Sequence, residues 1–363
     1  MQYKPATLNE NLGGPAAASA ADVLREKIAT GEYLSGQFLP SVRKLSADMG
    51  HAPQTIHRAL KRLAADGLVR ADSSRGYLVM PGANDPLHGC PLAYAFSGTL
   101  DSENDPFHVA LRSEIEEAAA RRAWSFLSLG GRSMTPAEIV ARLKSQRAFA
   151  TCLDTHDPAL VRMVREAGMV PILVDGWVEG AEIDSVMQDG QQGGMLAARC
   201  LLSRGRRRIA WLGRRDAGAH GPDRLSGALA TLRGEGAKLS DRFLLRTHPK
   251  GAETVARKLL SGKDRPDGVL ALWNTHALAV AKAAGALGLK LGKDLDVVGW
   301  GAAEALETNY GAALRNSAAL HIVTWRIRDM AEAVMSRLAE RRQNPDAPAL
   351  RVKVPVTLRV IED

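Results

Sequence analysis

The chain has 363 residues, 45% of them hydrophobic and 24% charged, which is the composition of globular protein with room for two or three folded units. No apolar run reaches the eighteen or so residues needed to span a bilayer, and no basic-then-apolar signal peptide opens the chain, so a cytoplasmic protein is expected. The formal charge of +8 agrees with nucleic-acid binding without establishing it, because residues 20–80 hold nine Lys/Arg against six Asp/Glu.

Residues 1–19, with Gly13, Gly14, Pro15 and an alanine run, read as a flexible arm. A first helix is expected over about Ala20–Thr30. Val42, Leu45 and Met49 then fall at helical spacing, leaving Arg43, Lys44 and Asp48 outside. Gly50 suits a left-handed helix end and Pro53 the first turn of the next helix. Along that helix Ile56, Ala59, Leu60 and Leu63 form an apolar stripe, and Gln54, Thr55, His57, Arg58 and Lys61 occupy the opposite face. A helix about 10–12 Å across fits the major groove, where such side chains reach bases or phosphates. Leu68–Ala71 and Tyr77–Met80 read as short strands, with Asp72 to Gly76 as their turn and Arg75 at the tip. The outline is a winged helix-turn-helix over residues 20–80.

The same residues resemble the GntR family. L-P-S-x-R (Leu39 to Arg43), T-I-H-R-A-L (Thr55 to Leu60), L-A-A-D-G-L-V (Leu63 to Val69) and Gly76 match its pattern in order and spacing. The resemblance implies double-stranded operator DNA as partner, Arg43 and Thr55 as DNA contacts, and backbone near Gly76 at the minor groove. His57 stands where many members carry arginine, and Pro53 where a polar residue is common, so the bases read are left open.

Pro81–Pro91 is rich in breakers, and a linker is expected over 81–90. Beyond it, strands and helices alternate. Leu92–Phe96, Ser125–Leu129, Phe149–Leu153, Pro171–Val174, Ile209–Leu212, Gly268–Leu272 and Leu295–Gly299 are expected as strands. Phe107–Arg122, Pro136–Ser145, Ala159–Ala167, Gln191–Arg204, Arg224–Gly234 and Ala277–Leu287 are expected as helices. Such alternation implies an α/β fold of parallel sheets wrapped by helices, with ligand crevices at the strand ends. The basic cluster Arg204, Arg206, Arg207, Arg208, Arg214 and Arg215 reads as a solvated helix end. Cys90, Cys152 and Cys200 lie far apart and read as small buried hydrophobes.

Three stretches, Val186 to Gly213, Arg224 to Leu229 and Asp267 to Trp300, resemble the effector domains of LacI/GalR repressors. The resemblance spans most of residues 91–363. It implies a periplasmic-binding-protein fold of two Rossmann-like lobes that closes on a small molecule and dimerises, as in the arabinose-responsive repressors. Asp189, Arg224 and Asn274 match pocket positions, although Asp189 fits a helix N-cap equally and Asn274 could cap too. Phe107, Trp177, Trp273 and Trp300 sit near expected strand ends, where aromatic faces line sugar sites or simply fill a core. The family's usual aspartate after V-V-G is replaced by Gly301, which tilts the expected sugar-like effector toward an anionic one.

No G-x-S-x-G, H-E-x-x-H, Walker loop or G-x-G-x-x-G is present, and the nine histidines show no metal-ligand spacing. No enzyme activity, cofactor or metal is expected. The alternatives are a ligand-independent DNA binder with a decayed pocket and, behind it, a GntR-type reader fused to an enzyme domain such as a pyridoxal-phosphate aminotransferase.

Overall fold

A computed structural model describes residues 14–80, 83, 91–97, 105–122, 124–130, 134–146, 148–155, 157–315 and 319–360. The expected linker, apart from Ala83, which packs into the reader's core, and Cys90 lie outside the described residues, as does most of the expected arm. Contacts divide the chain into two compact units. The first holds the N-terminal helices and hairpin with Glu117–Leu127 and Leu338–Ala347, and the second holds Ala93–Glu116, Ser128–Arg337 and the chain from Pro348 on.

The reader is a three-helix unit with a wing. Helix α1 spans Pro15–Ala29, α2 Val42–Met49 and α3 Pro53–Ala65. Helix α1 starts five residues before the expected Ala20, because Pro15 suits a first turn and the alanine run is strongly helix-forming. The early turns also bury Ala17, Ala20 and Ala21. Ser41 caps α2 through the Lys44 N–H, and Gly50 ends it at φ 66°, a left-handed residue that glycine accepts without a Cβ penalty. The apolar stripe of α3 joins Leu24, Ile28, Leu39, Leu45, Leu68 and Val79 in one core. Strands β1 (Val69–Asp72) and β2 (Gly76–Val79) pair antiparallel. The Asp72 carboxylate accepts from Ser74 and Arg75 N–H groups and so closes the turn. Phe38 bridges to Leu78, adding a third edge that the sequence pattern does not announce.

The remaining elements build two sheets. The first orders β13-β7-β6-β5-β3-β4, from β3 (Pro91–Ser97), β4 (Ser125–Gly130), β5 (Ala150–Thr155), β6 (Val170–Val174), β7 (Asp184–Gln188) and β13 (Arg351–Val354). The second orders β14-β12-β11-β10-β8-β9, from β8 (Ile209–Leu212), β9 (Leu244–Leu245), β10 (Gly268–Ala271), β11 (Asp296–Ala302), β12 (Leu320–Trp325) and β14 (Thr357–Arg359). The pairs β5/β6, β6/β7, β8/β10 and β10/β11 are all parallel, and β14 runs antiparallel beside β12. Strands of this kind are buried on both faces and read as unbroken apolar runs, which is why most were visible in the sequence.

Helices α4 (Pro106–Arg121), α5 (Pro136–Ser145) and α6 (Pro158–Glu166) link strands of the first sheet. Helix α7 (Gly190–Ser203) carries the chain from β7 to β8, and α8 (His220–Gly234), α9 (Ala252–Leu260), α10 (Asn274–Ala286) and α11 (Leu306–Arg315) serve the second sheet. Helix α12 (Ile327–Gln343) returns the chain to β13, and β14 crosses back. Two lobes exchange three crossings, the architecture of the expected α/β fold.

Helices α7 and α8 approach at backbone distance. A Cβ on Gly194 would stand 2.0 Å from the Arg224 carbonyl oxygen, and one on Gly227 2.0 Å from that of Gln191. Only glycine permits this, and the contact sets the height of α8 above the sheet. Buried ion pairs pin the ends. Arg337 donates to Asp184 at 2.8 Å, and Arg204 and Arg206 converge on fully buried Asp296 at 3.2 and 2.5 Å. The basic cluster is therefore not a solvated helix end throughout, because two of its arginines neutralise a carboxylate in the second lobe. Cys152 and Cys200 are buried as expected, and burial pushes the Cys200 thiol up to about 11. Among the described residues, no helix is long and apolar enough to cross a membrane.

Candidate DNA-reading surface and effector cleft

Arg43 on α2 and Gln54, His57, Arg58 and Lys61 on α3 are exposed, and Thr55 is half-buried at the helix start. Arg75 and Gly76 are exposed in the wing turn. The His57 ring meets the Tyr77 ring edge-on at 6.4 Å, and the Arg75 guanidinium lies 5.8 Å from the Phe38 ring. These contacts fix the wing beside α3. Among the described residues Arg43, Arg58, Lys61 and Arg75 make no ion pair, so their charge is available to phosphates.

The second unit contains a cavity of about 440 Å³ between its two lobes, in the size range of small-molecule sites. Its walls come from the C-terminal ends of β5, β6, β7, β10, β11 and β12, where parallel sheets place their ligand crevices. Of the seven residues expected there, Phe107, Arg224, Trp273, Asn274 and Trp300 line it. Asp189 does not: it accepts from the Gln192 N–H as the cap of α7 and lies 3.8 Å from Lys353. Trp177 does not either, since the Arg351 guanidinium stacks on its ring at 4.2 Å. Asn274 begins α10 without capping it and is half-buried at the cavity wall.

Arg224 occupies an aromatic box. Its guanidinium carbon lies 3.9 Å from the Trp300 ring centre, 4.6 Å from Trp273 and 6.0 Å from Trp325. One arm donates to the Leu272 carbonyl at 2.5 Å. The side chain is wholly buried, and burial lowers its pKa to about 9 against the opposing charge of Asp175. Stacking on rings offsets part of that desolvation.

Where the family's aspartate is expected, the glycine is closely packed. A Cβ on Gly301 would come within 3.0 Å of Leu306 and 3.2 Å of Tyr310. The Tyr310 ring edge lies there, and its hydroxyl sits against Gly299, donating to the Trp300 carbonyl at 2.8 Å and accepting from the Trp300 N–H at 3.1 Å. The segment Gly299-Trp300-Gly301 is thus packed around a phenol that holds Trp300 against Arg224.

Several lining residues escaped the sequence reading. Asp154 ends β5, where its Oδ2 accepts from Tyr94 at 2.6 Å and meets His108 Nδ1 at 2.7 Å. Burial opposes a charge on His108, yet Asp154, with Asp175 and Asp105 beyond it, carries the imidazole up to about 9. Asp175 follows β6 and is held below the usual carboxylate range by His220, against its burial. Gln188 ends β7, and Trp325 ends β12. A signal existed for the carboxylates, which close apolar strand runs, and for His220, four residues before Arg224 on one helical face. Trp325 lies in a stretch to which no element was assigned.

An exposed cationic winged helix and a polar-aromatic cleft between two lobes are the parts that a DNA-reading, small-molecule-sensing protein requires. Comparison with known proteins agrees. Residues 16–79 match the model of bacterial regulatory proteins of the gntR family, and residues 198–362 match that of the periplasmic binding protein-like domain. Two segments of the chain are thus similar to a GntR-type reader and to a periplasmic-binding-protein-like domain, and the relatives described below are transcriptional repressors.

The HTH-type transcriptional repressor PurR of Erwinia tasmaniensis is 27% identical over 166 residues, 45% of this chain and 48% of that protein. The ribose operon repressor of Haemophilus influenzae is 20% identical over 273 residues, 74% of each chain. The chain therefore spans about half the length of the first relative and three-quarters of the second. Among solved structures, the transcriptional regulator CelR–cellobiose complex superposes with a TM-score of 0.64 at 20% identity, covering 89% of this chain and 99% of that one.

Proposed function

We propose that the chain is a cytoplasmic, ligand-responsive transcriptional repressor that binds a palindromic operator as a homodimer. A small molecule between the lobes favours one lobe arrangement and so changes DNA affinity by its differential preference for the two states. Two readers in a dimer meet half-sites about one helical turn apart. The observation that carries this reading is the cavity itself, built from mutually packed parts in a chain that also carries a reader. The fit of Tyr310 against Gly299 and Trp300 argues against a decayed pocket, since an ordered aromatic box lines it.

The lining favours a neutral, hydroxyl-rich ligand over an anionic one. Arg224 is wholly buried and already bonded to a carbonyl, His108 is matched to Asp154, and three carboxylates (Asp105, Asp154 and Asp175) line the wall. Carboxylates accept sugar hydroxyls and repel acids, and the ring faces of Phe107 and Trp325 suit the apolar face of a sugar. The CelR relative was solved with cellobiose, consistent with this class.

Thermal unfolding of the full chain against neutral sugars, sugar phosphates, sugar acids and nucleosides tests it. A neutral sugar at a hundredfold its dissociation constant stabilises the unit it binds by about 2.7 kcal/mol, which shifts its melting by about 2–4 °C. A selective shift by acids or phosphates overturns the ligand class, and a flat panel favours ligand-independent regulation.

A further inference from the structure

The cleft is bridged by the protein's own side chains. His220 and Arg224 share one face of α8 in the second lobe, while Asp175 and Gln188 end strands of the first. His220 Nε2 donates to the Asp175 carbonyl oxygen at 2.9 Å, with the Asp175 carboxylate at 3.3 Å. The Gln188 amide is assigned from its neighbours. Its oxygen accepts from Arg224 at 2.8 Å and from His220 Nδ1 at 3.1 Å, and its nitrogen donates to Asp175 Oδ1 at 2.9 Å. Every polar atom of that amide and both ring nitrogens of His220 are engaged across or beside the gap.

Asp175 shows that the arrangement is built. It is the only non-glycine residue with positive φ, 58°, among the described residues. Such backbone persists where its surroundings over-determine it. Here it turns both the carbonyl and the carboxylate of one residue toward His220.

We propose that Asp175, Gln188, His220 and Arg224 form a latch that holds the lobes together over the cavity before any effector binds. Charge-assisted hydrogen bonds in a water-poor cleft are the strong kind, and three of them cross between lobes. The lobes are thereby held by the protein's own groups, and an entering ligand competes with Gln188 for the guanidinium and the imidazole. This goes beyond the effector reading: the latch sets the lobe equilibrium on which any ligand acts.

The test uses the full chain without ligand. Trp300 and Trp325, 4% and 7% exposed, report opening through acrylamide quenching of tryptophan fluorescence. Gln188→Leu keeps the bulk and removes two crossing bonds, which raises the open-to-closed ratio about tenfold or more. The expected result is a quenching constant raised about twofold as the open state becomes well populated, with an enlarged radius of gyration by small-angle scattering and a retained cooperative melt. Asp175→Asn tolerates the left-handed backbone and keeps the carbonyl bond, so it opens the cleft less and carries the test if Gln188→Leu does not fold. Wild-type quenching and scattering in a folded variant would overturn the latch and leave apolar packing as what holds the lobes. Because no ligand enters, a flat effector panel leaves this result standing, and a positive panel does not rescue it.

Discussion

The reader presents Gln54 to Lys61 from two turns of one helix, with Arg43 and Arg75 nearby in sequence, whereas the cleft gathers Asp105 to Trp325 from the ends of six strands and from four helices. Among the described residues, Arg43, Arg58, Lys61 and Arg75 of the reading surface make no ion pair. The cleft does the opposite, turning nearly every charged group toward another part of the protein. A surface that must meet phosphates works through free charge. A buried site must first satisfy itself, because an unpaired polar group out of water costs about 1–3 kcal/mol.

That contrast can be broken or sharpened by substitution. The largest effect is expected at Gly194, where alanine would drive a Cβ into the Arg224 carbonyl. Gly194→Ala should cost the lobed unit about 3 kcal/mol or more, visible in calorimetry as a lowered transition for that unit with the reader's contribution unchanged. A wild-type melt would show that α7 and α8 are not pressed together.

Next comes the His108–Asp154 pair. A histidine whose folded pKa is raised from 6.5 to about 9 stabilises fully below its unfolded pKa and loses that contribution as pH rises through about 9. The loss is at most about 3 kcal/mol. Denaturant unfolding from pH 6 to pH 10 should show this slope in the wild type and a flatter one in His108→Gln. Equal slopes would place the proton elsewhere.

At the reader, Arg43→Ala should weaken operator binding by about 1–3 kcal/mol while leaving effector-induced melting shifts intact, as read by fluorescence anisotropy and thermal unfolding on one preparation. Loss of both would mean that Arg43 supports the fold rather than the DNA contact. The smallest effect belongs to Asp189→Ala, which removes a helix cap for about 1 kcal/mol and leaves ligand affinity unchanged in isothermal titration. A weakened ligand would return Asp189 to the pocket.

The same contrast explains what the sequence could show. Helix α3 has an apolar stripe on one side and polar residues on the other, so its periodicity gave both the fold and the reading face. The buried strands Ile209–Leu212 and Gly268–Ala271 stood out as apolar runs. Beyond Leu306 the signal failed: β12 carries buried His321 as its second residue, β13 alternates charged residues, and β14 is three residues long. Family resemblance supplied Arg224 and Asn274, but Asp175 and Gln188 matter through partners 32 to 45 residues away in α8. No local pattern encodes such a pairing. Trp177 and Asp189 misled because a strand end also holds caps and surface stacks.

The central claim is that occupancy of the cleft changes DNA affinity. The most direct measurement is fluorescence anisotropy of labelled duplex DNA selected by the full chain from a random pool, titrated with and without the neutral sugar that raises its melting temperature. A shift in dissociation constant of about fivefold or more is predicted. Saturable sugar binding with unchanged DNA affinity would contradict it.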